Sequence, residues 1–300
     1  LHAASESRHH HGGIVTELKT EAALRYRRMT EDDIEAAHKL SLAVRWPHRL
    51  DDWRFIQRLG AGYVAEDSTG LVGTVMCWSH GPDYASVGMV IVSAEWQGKG
   101  VGRKLMALVM AELGKRTVLL HATEAGKPLY ENLGFEAVGQ IHQHQGTVFK
   151  SPLMPLQPGE RIRPLGSRDG PRLAALGARA AGMPRATVLA AMLEVAEGVV
   201  IDRYDEVIGC AMLRRFGHGY AIGPVIAPDI DRAKALISHW TGTYGGAFIR
   251  IDVSGSCGLS PWLTELGLVQ VDSVVAMARG EAPLPDPGVR MFAIVNQALG

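Results

Sequence analysis

The residues of this chain whose types and spacing best suit chemistry are Gln97-Gly98-Lys99-Gly100-Val101-Gly102. Three glycines standing two apart strip a tight turn of side chains. The turn opens Arg103–Leu113, whose apolar positions recur at three and four residues as on a helix. Backbone N–H groups at a helix start lack partners within the helix, and the helix dipole favours negative charge there. A bare turn in that place is a cradle for a pyrophosphate. Two common spellings of such a cradle are excluded. Gly102 is followed by Arg103-Lys104 rather than Lys and Ser or Thr, and the glycines do not follow G-x-G-x-x-G.

The elements that must position this turn surround it. The apolar run Val87–Val92 reads as a strand, so strand, glycine turn and helix follow one another. Upstream, Ala23–Met29 reads as a strand and Thr30-Glu31-Asp32-Asp33 as the acidic, capped start of a helix reaching about Ala43. A second helix, Leu50–Leu59, follows the break at Trp46-Pro47-His48. Strands at Ala61–Asp67 and Val72–Ser79 join through Ser68-Thr69-Gly70. Downstream come a strand at Thr117–Ala122, a helix at Lys127–Leu133 and a last strand at Glu136–His142.

Much of this order recurs about 136 residues later. Tyr26–Met29 corresponds to Ile162–Leu165, Gly62–Glu66 to Gly198–Asp202 and Val72–Met76 to Ile208–Met212. Gly88–Ile91 answers to Gly223–Ile226, and Pro128–Phe135 to Pro261–Leu268. The glycine turn is not repeated. Ala227-Pro228-Asp229-Ile230-Asp231 stands in its place, and two aspartates at a helix start suit the dipole but repel a diphosphate. Leu263 takes the position of Tyr130. The second copy is expected to keep the fold and to have lost the anion site. Arg250 and Asp252, alternating along a strand predicted at Phe248–Val253, read as an ordinary ion pair.

Lys plus Arg equals Asp plus Glu at 31 each, so net charge gives no argument for nucleic acid or an anionic membrane surface as partner. Three hundred residues are comfortable for two domains. The apolar runs fall short of a membrane span and no leader pattern is visible, so a cytoplasmic protein is expected. Cys77, Cys210 and Cys257 are widely spaced and read as unpaired thiols. Residues 1–13, with His9-His10-His11, read as a disordered segment or a cloning remnant. A first domain is placed at 14–149, a proline-spaced linker at 150–160 and a second domain at 161–280. The tail, 281–300, has an apolar run Val289–Val295 that must dock on a domain.

Gln97, Gly100 and Gly102 fit the pattern Q/R-x-x-G-x-G/A, and residues 123–136 (TEAGKPLYENLGFE) fit A/G-x-x-x-Tyr-Glu-x-x-Gly-Phe. Together they resemble the coenzyme A signature of the GNAT superfamily of N-acetyltransferases. From about Ile14 onward the chain is similar to bacterial two-domain members with an intact first domain and a degenerate second one. The resemblance implies an α/β (α+β) fold of two tandem domains. Each is a mixed, mostly antiparallel twisted sheet with helices on both faces, whose fourth and fifth strands splay to admit the pantetheine arm. It implies acetyl-CoA as co-substrate, no metal, and direct transfer to the primary amine of a small molecule. Val92 is the expected pantetheine partner, with Val90 or Ile91 nearest the thioester. Gln97, Gly98, Lys99, Gly100, Val101, Gly102 and Arg103 are expected at the diphosphate. Thr123 stands where many members carry asparagine. Tyr130 is the expected general acid toward the thiolate. His121 is the first side-chain candidate for the base, ahead of His80 and Glu66, with a water chain to bulk as the alternative, and Trp46, Trp53, Trp78 and His80 are expected at the acceptor. The second copy is expected to serve the acceptor site or a homodimer contact. The alternative is a non-catalytic acyl-CoA-binding regulatory or interaction module.

Overall fold

A computed structural model describes residues 24–300, so the expectations for the first residues, His9–His11 included, lie outside the described part. The first half runs β1 (Arg25–Arg28), α1 (Ile34–Ala43), α2 (Leu50–Gln57), β2 (Ala61–Asp67), β3 (Gly70–His80), β4 (Tyr84–Val92), α3 (Val101–Leu113), β5 (Thr117–Ala122), α4 (Lys127–Glu131) and β6 (Glu136–Thr147). The second repeats it as β7 (Glu160–Pro164), α5 (Gly170–Ala181), α6 (Ala186–Val195), β8 (Ala196–Arg203), β9 (Glu206–Phe216), β10 (Gly219–Ala227), α7 (Ile230–Thr243), β11 (Phe248–Ser254), α8 (Ser260–Glu265) and β12 (Leu268–Arg279). A final strand, β13 (Arg290–Ala293), has no counterpart in the first half. Among the described residues no helix is long and apolar enough to cross a membrane.

The repeat is visible in its ion pairs. Arg27 grips Asp33 (2.7 Å) and Glu66 (2.7 Å), while in the second half Arg163 grips Asp169 (2.6 Å) and Asp202 (3.1 Å). In each half the fork ties the first strand to the turn before its helix and to the neighbouring strand. Bidentate guanidinium–carboxylate contacts have the planar match that makes such pairs directional. This corrects the expectation for Glu66: its carboxylate is held by Arg27, which leaves it unsuited to act as a base.

The two half-sheets form one 13-stranded sheet in the order β1-β2-β3-β4-β5-β12-β6-β11-β13-β10-β9-β8-β7. β12 leaves its own half to pair with β5, from Ala122↔Val275 to Val118↔Arg279, and β6 reciprocally pairs with β11, from Ser254↔Ile141 to Phe248↔Thr147. The exchanged strands pair antiparallel with each other between Gly146↔Leu268 and Glu136↔Ala278. β6 therefore outlasts the expected end at His142, because its polar continuation Gln143–Thr147 has a strand on each side.

One face of the sheet carries α1, α2, α5 and α6 over a continuous core that unites Trp53 and Trp78 with Leu173, Leu189 and Met192. The other face carries two separate cores, one under α3 and one under α7 and α8. The expected linker, after β6, has no regular structure up to Pro158, and Ser151 Oγ pins it by donating to Ser238 O (2.8 Å). In the tail, Val289, Phe292, Val295 and Leu299 are buried.

Candidate active site

β4 and β5 run parallel only from Tyr84↔Thr117 to Ser86↔Leu119 and then part, while β5 goes on pairing with β12 along its other edge as far as Ala122. A bulge in β4 accompanies the parting. The register to β3 shifts between Ile91 and Gly88, Met89 takes a left-handed φ of 53°, and Thr74 Oγ1 donates to Met89 O (2.7 Å). Ser93 N donates to Val72 O (2.8 Å) on the β3 side, so by the alternation of an extended strand the Val92 N–H faces the opening. Gln97 Nε2 donates back to Val92 O (3.0 Å), fixing the glycine turn to the end of the strand.

The start of α3 is bare. Gly100 is its N-cap at φ 82°, with no side-chain cap and no acid in the first turn. Gly98 (φ +74) and Gly100 (φ +82) sit in the left-handed region, where a side chain is strained, and nothing lies within 4 Å of where their Cβ atoms would stand. That open, donor-rich hollow fits a diphosphate. Arg103 and Lys104 are exposed beside it, and Lys99 lies 4.8 Å from the Trp96 ring centroid. Val101 is buried, so only its backbone faces the hollow.

The second half closes every one of these openings. Asp229 caps α7, accepting from Arg232 N (3.0 Å), and Arg232 is taken by Glu160 and Asp229. β13 lies between β10 and β11, with Ala293 opposite both Val225 and Val253, so the chain's own tail fills the slot that stays open in the first half. Leu263, in the place of Tyr130, is fully buried.

α4 carries Tyr130, which is buried against the core under α3. Leu129 approaches to 3.4 Å of the Cβ position of Gly102, which packs α4 on the start of α3, and Thr123 Oγ1 accepts from Gly126 N (3.2 Å) at the helix entry. The Tyr130 ring stands edge-on to Phe135 at 6.0 Å, and burial pushes its pKa up to about 12, so the phenol keeps its proton at neutral pH. Its hydroxyl has no hydrogen-bond partner among the described residues.

His121 faces a cavity of about 190 Å³ beside the splay. The first half lines it with Trp46, His48, the Gly88–Met89 bulge, His121 and Thr123. The second half adds Phe216, Arg250 and Asp272, and the tail adds Asn296–Ala298. His121 Nδ1 lies 2.8 Å from Gln297 O, an acceptor, so Nδ1 carries the proton and Nε2 is left with a free lone pair. Burial depresses the imidazole pKa against the opposing effects of Gln297 and Asp252, which keeps the ring neutral at pH 7.

The expectations divide here. Trp46 and His121 reach the cavity. Trp78 does not: it is 1% exposed, donates Nε1 to Ile56 O (2.8 Å) and backs Gly88 from the core. Trp53 is likewise interior, donating to Ser41 Oγ (3.0 Å). His80 lies at the closed end of the β3–β4 hairpin against Ser86 Oγ (3.0 Å), where burial pushes its pKa down to about 3. It is a core imidazole rather than an acceptor contact. The pair Arg250–Asp252 exists as expected (2.7 Å), and Arg250 also lines the cavity. Phe216, Asp272 and Gln297 were not legible as site residues, since each comes from a segment that reads as ordinary strand or tail.

Two family models match the chain, each described as an acetyltransferase (GNAT) domain, over residues 58–137 and 173–293. A Bacillus subtilis (strain 168) protein, called the uncharacterized N-acetyltransferase YitH, is 27% identical over 220 residues, or 72% of this chain and 76% of its own. Holothin acyltransferase of Pseudoalteromonas sp. (strain SANK 73390) is 24% identical over 289 residues, or 90% of this chain and 92% of its own. Among solved structures, an inferred acetyltransferase from Pyrococcus horikoshii superposes with a TM-score of 0.74 over 98% of this chain and 100% of its own. At 17% identity that similarity shows the shared fold.

Proposed function

The chain belongs to the GNAT acetyltransferases and carries two such domains in tandem, and from that premise we propose that it transfers an acetyl group from acetyl-CoA to the primary amine of a small molecule. The reading is carried by one contrast: the helix start and strand splay are open in the first half and closed in the second by Asp229 and β13. When bound, the co-substrate supplies an activated thioester. The backbone N–H groups of residues 98–103 hold its diphosphate, with Arg103 and Lys99 adding charge from the rim. The Val92 N–H faces the pantetheine arm, and Thr123 stands beside it. By the same alternation the Val90 N–H, beside the bulge, is offered to a carbonyl oxygen, while Ile91 faces Thr74 on β3.

Tyr130 holds a proton on its phenol oxygen for the departing sulfur. His121 Nε2 takes the proton that an amine carries at neutral pH, and the bond from Nδ1 to Gln297 O fixes the tautomer that makes this work. Tyr130→Phe keeps the ring and removes that proton. Acceptor-stimulated thiol release should fall on the order of 100-fold while coenzyme A affinity by calorimetry stays unchanged. Coenzyme A binding with no acceptor-stimulated release by the wild type would leave a non-catalytic acyl-CoA-binding module instead.

A further inference from the structure

The half that has lost its cofactor slot contributes a shaped, charged wall to the cavity of the other half. Arg250 on β11 is mostly buried (11% exposed). Its Nε and Nη2 are fixed on Asp252 at 3.0 and 2.7 Å, and its guanidinium lies 5.2 Å from the Phe216 ring centroid. Two of its three nitrogens are thus committed. Nη1 has no acceptor among the described residues, and Arg250 lines the same cavity as His121. An arginine held so rigidly has little freedom left to lose when Nη1 meets a ligand, and a planar guanidinium favours carboxylate oxygens. Asp272 lines the cavity with the opposite charge. Aromatic surfaces from both halves line it as well: His48 stands 5.8 Å from Trp46 and 5.4 Å, edge-on, from Phe216.

We propose that the acceptor is an amino-acid-like zwitterion, an amine that also carries a carboxylate, and that the second domain reads it through Arg250 Nη1. This rests on the transferase reading above and names its acceptor class. Asp272 meets the ammonium form in which the amine arrives, the carboxylate docks on Arg250, and the apolar part of the molecule lies against Trp46 and Phe216. The degenerate domain is therefore the specificity half of the enzyme.

The test uses amines in pairs that differ by one carboxylate: phenylalanine and phenethylamine, tryptophan and tryptamine, lysine and cadaverine. Thiol release from acetyl-CoA gives kcat/KM for each, and calorimetric titration of the same amines into protein saturated with coenzyme A reads binding without turnover. The carboxylate-bearing member of at least one pair should be preferred on the order of tenfold or more. Arg250→Met should abolish that preference, read as the ratio of kcat/KM and of affinity between the two members of each pair. Arg250→Lys keeps the charge but loses the fork on Asp252, so it should keep part of the preference, and it covers the case in which the methionine variant fails to fold. Turnover with no carboxylate preference, or a preference indifferent to both substitutions, overturns the proposal and leaves the transferase reading standing. Arg250-dependent binding of the carboxylate amines without turnover upholds the proposal and counts against the transferase reading. Neither binding nor turnover of any pair overturns it.

Discussion

Single residues here are tuned by burial more than by charge. Tyr130 and His121 both keep their uncharged forms at neutral pH because the interior disfavours ions, which gives one a proton to offer and the other a lone pair. His80 shows the same force without a reaction to serve. Its folded pKa of about 3 lies below the ~6.5 of an unfolded histidine, so between those values the unfolded chain takes up a proton that the fold refuses. This contribution is complete above about pH 6.5 and drains away as pH falls toward 3. Going from pH 7 to 4.5, His80 should cost roughly 2 to 3 kcal/mol of stability. Urea unfolding of wild type and His80→Gln at the two pH values measures it, and equal acid sensitivity would refute the assignment. The sequence marked Tyr130 by its motif and His121 by its strand end, and His121 and Trp46 line the cavity. It misplaced Trp78 and His80 because β3 is buried on both faces over most of its length, so no alternation told an inward side chain from one facing a cavity.

At the level of elements, the boundaries of β2 and β5 and the strand–turn–helix around Gly100 were legible from alternation and glycine spacing alone. The bareness of the α3 start makes a sharp prediction. Gly100→Ala puts a side chain into open space at a φ of +82°, so the fold bears only the left-handed strain, about 1 kcal/mol. For a chain of this size the melting temperature should drop by roughly 2 to 4 °C. The added methyl group keeps a phosphate from approaching the amides, so coenzyme A affinity should fall about tenfold or more by calorimetry. A variant that binds normally would show that the turn does not hold the diphosphate. Asp229 marks the opposite choice: its side chain caps α7 by accepting from Arg232 N, where Gly100 offers no side chain at the start of α3.

The exchange of β6 and β12 belongs to the whole molecule, and no sequence pattern reveals it. Each strand offers the same alternation to either half, and the choice of partner is made by residues more than a hundred positions away. Val275 and Met277 from β12 lie in the core under α3, and β5 has its outer neighbour only through β12. A first domain cut after Lys150 should therefore be unfolded or aggregated by circular dichroism and gel filtration, while the two halves co-expressed should assemble. A soluble, folded first half would contradict the shared core. The same fusion leaves the described sheet with two outer strands, β1 and β7, and both are rich in arginine: Arg25, Arg27 and Arg28 on one, Arg161 and Arg163 on the other. These guanidiniums are held by carboxylates of their own half; what limits pairing at the rims is that β1 spans only Arg25–Arg28 and that Pro164 in β7 has no hydrogen to offer a neighbouring strand. A ribbon already thirteen strands wide is in this way kept from growing end to end into a fibre.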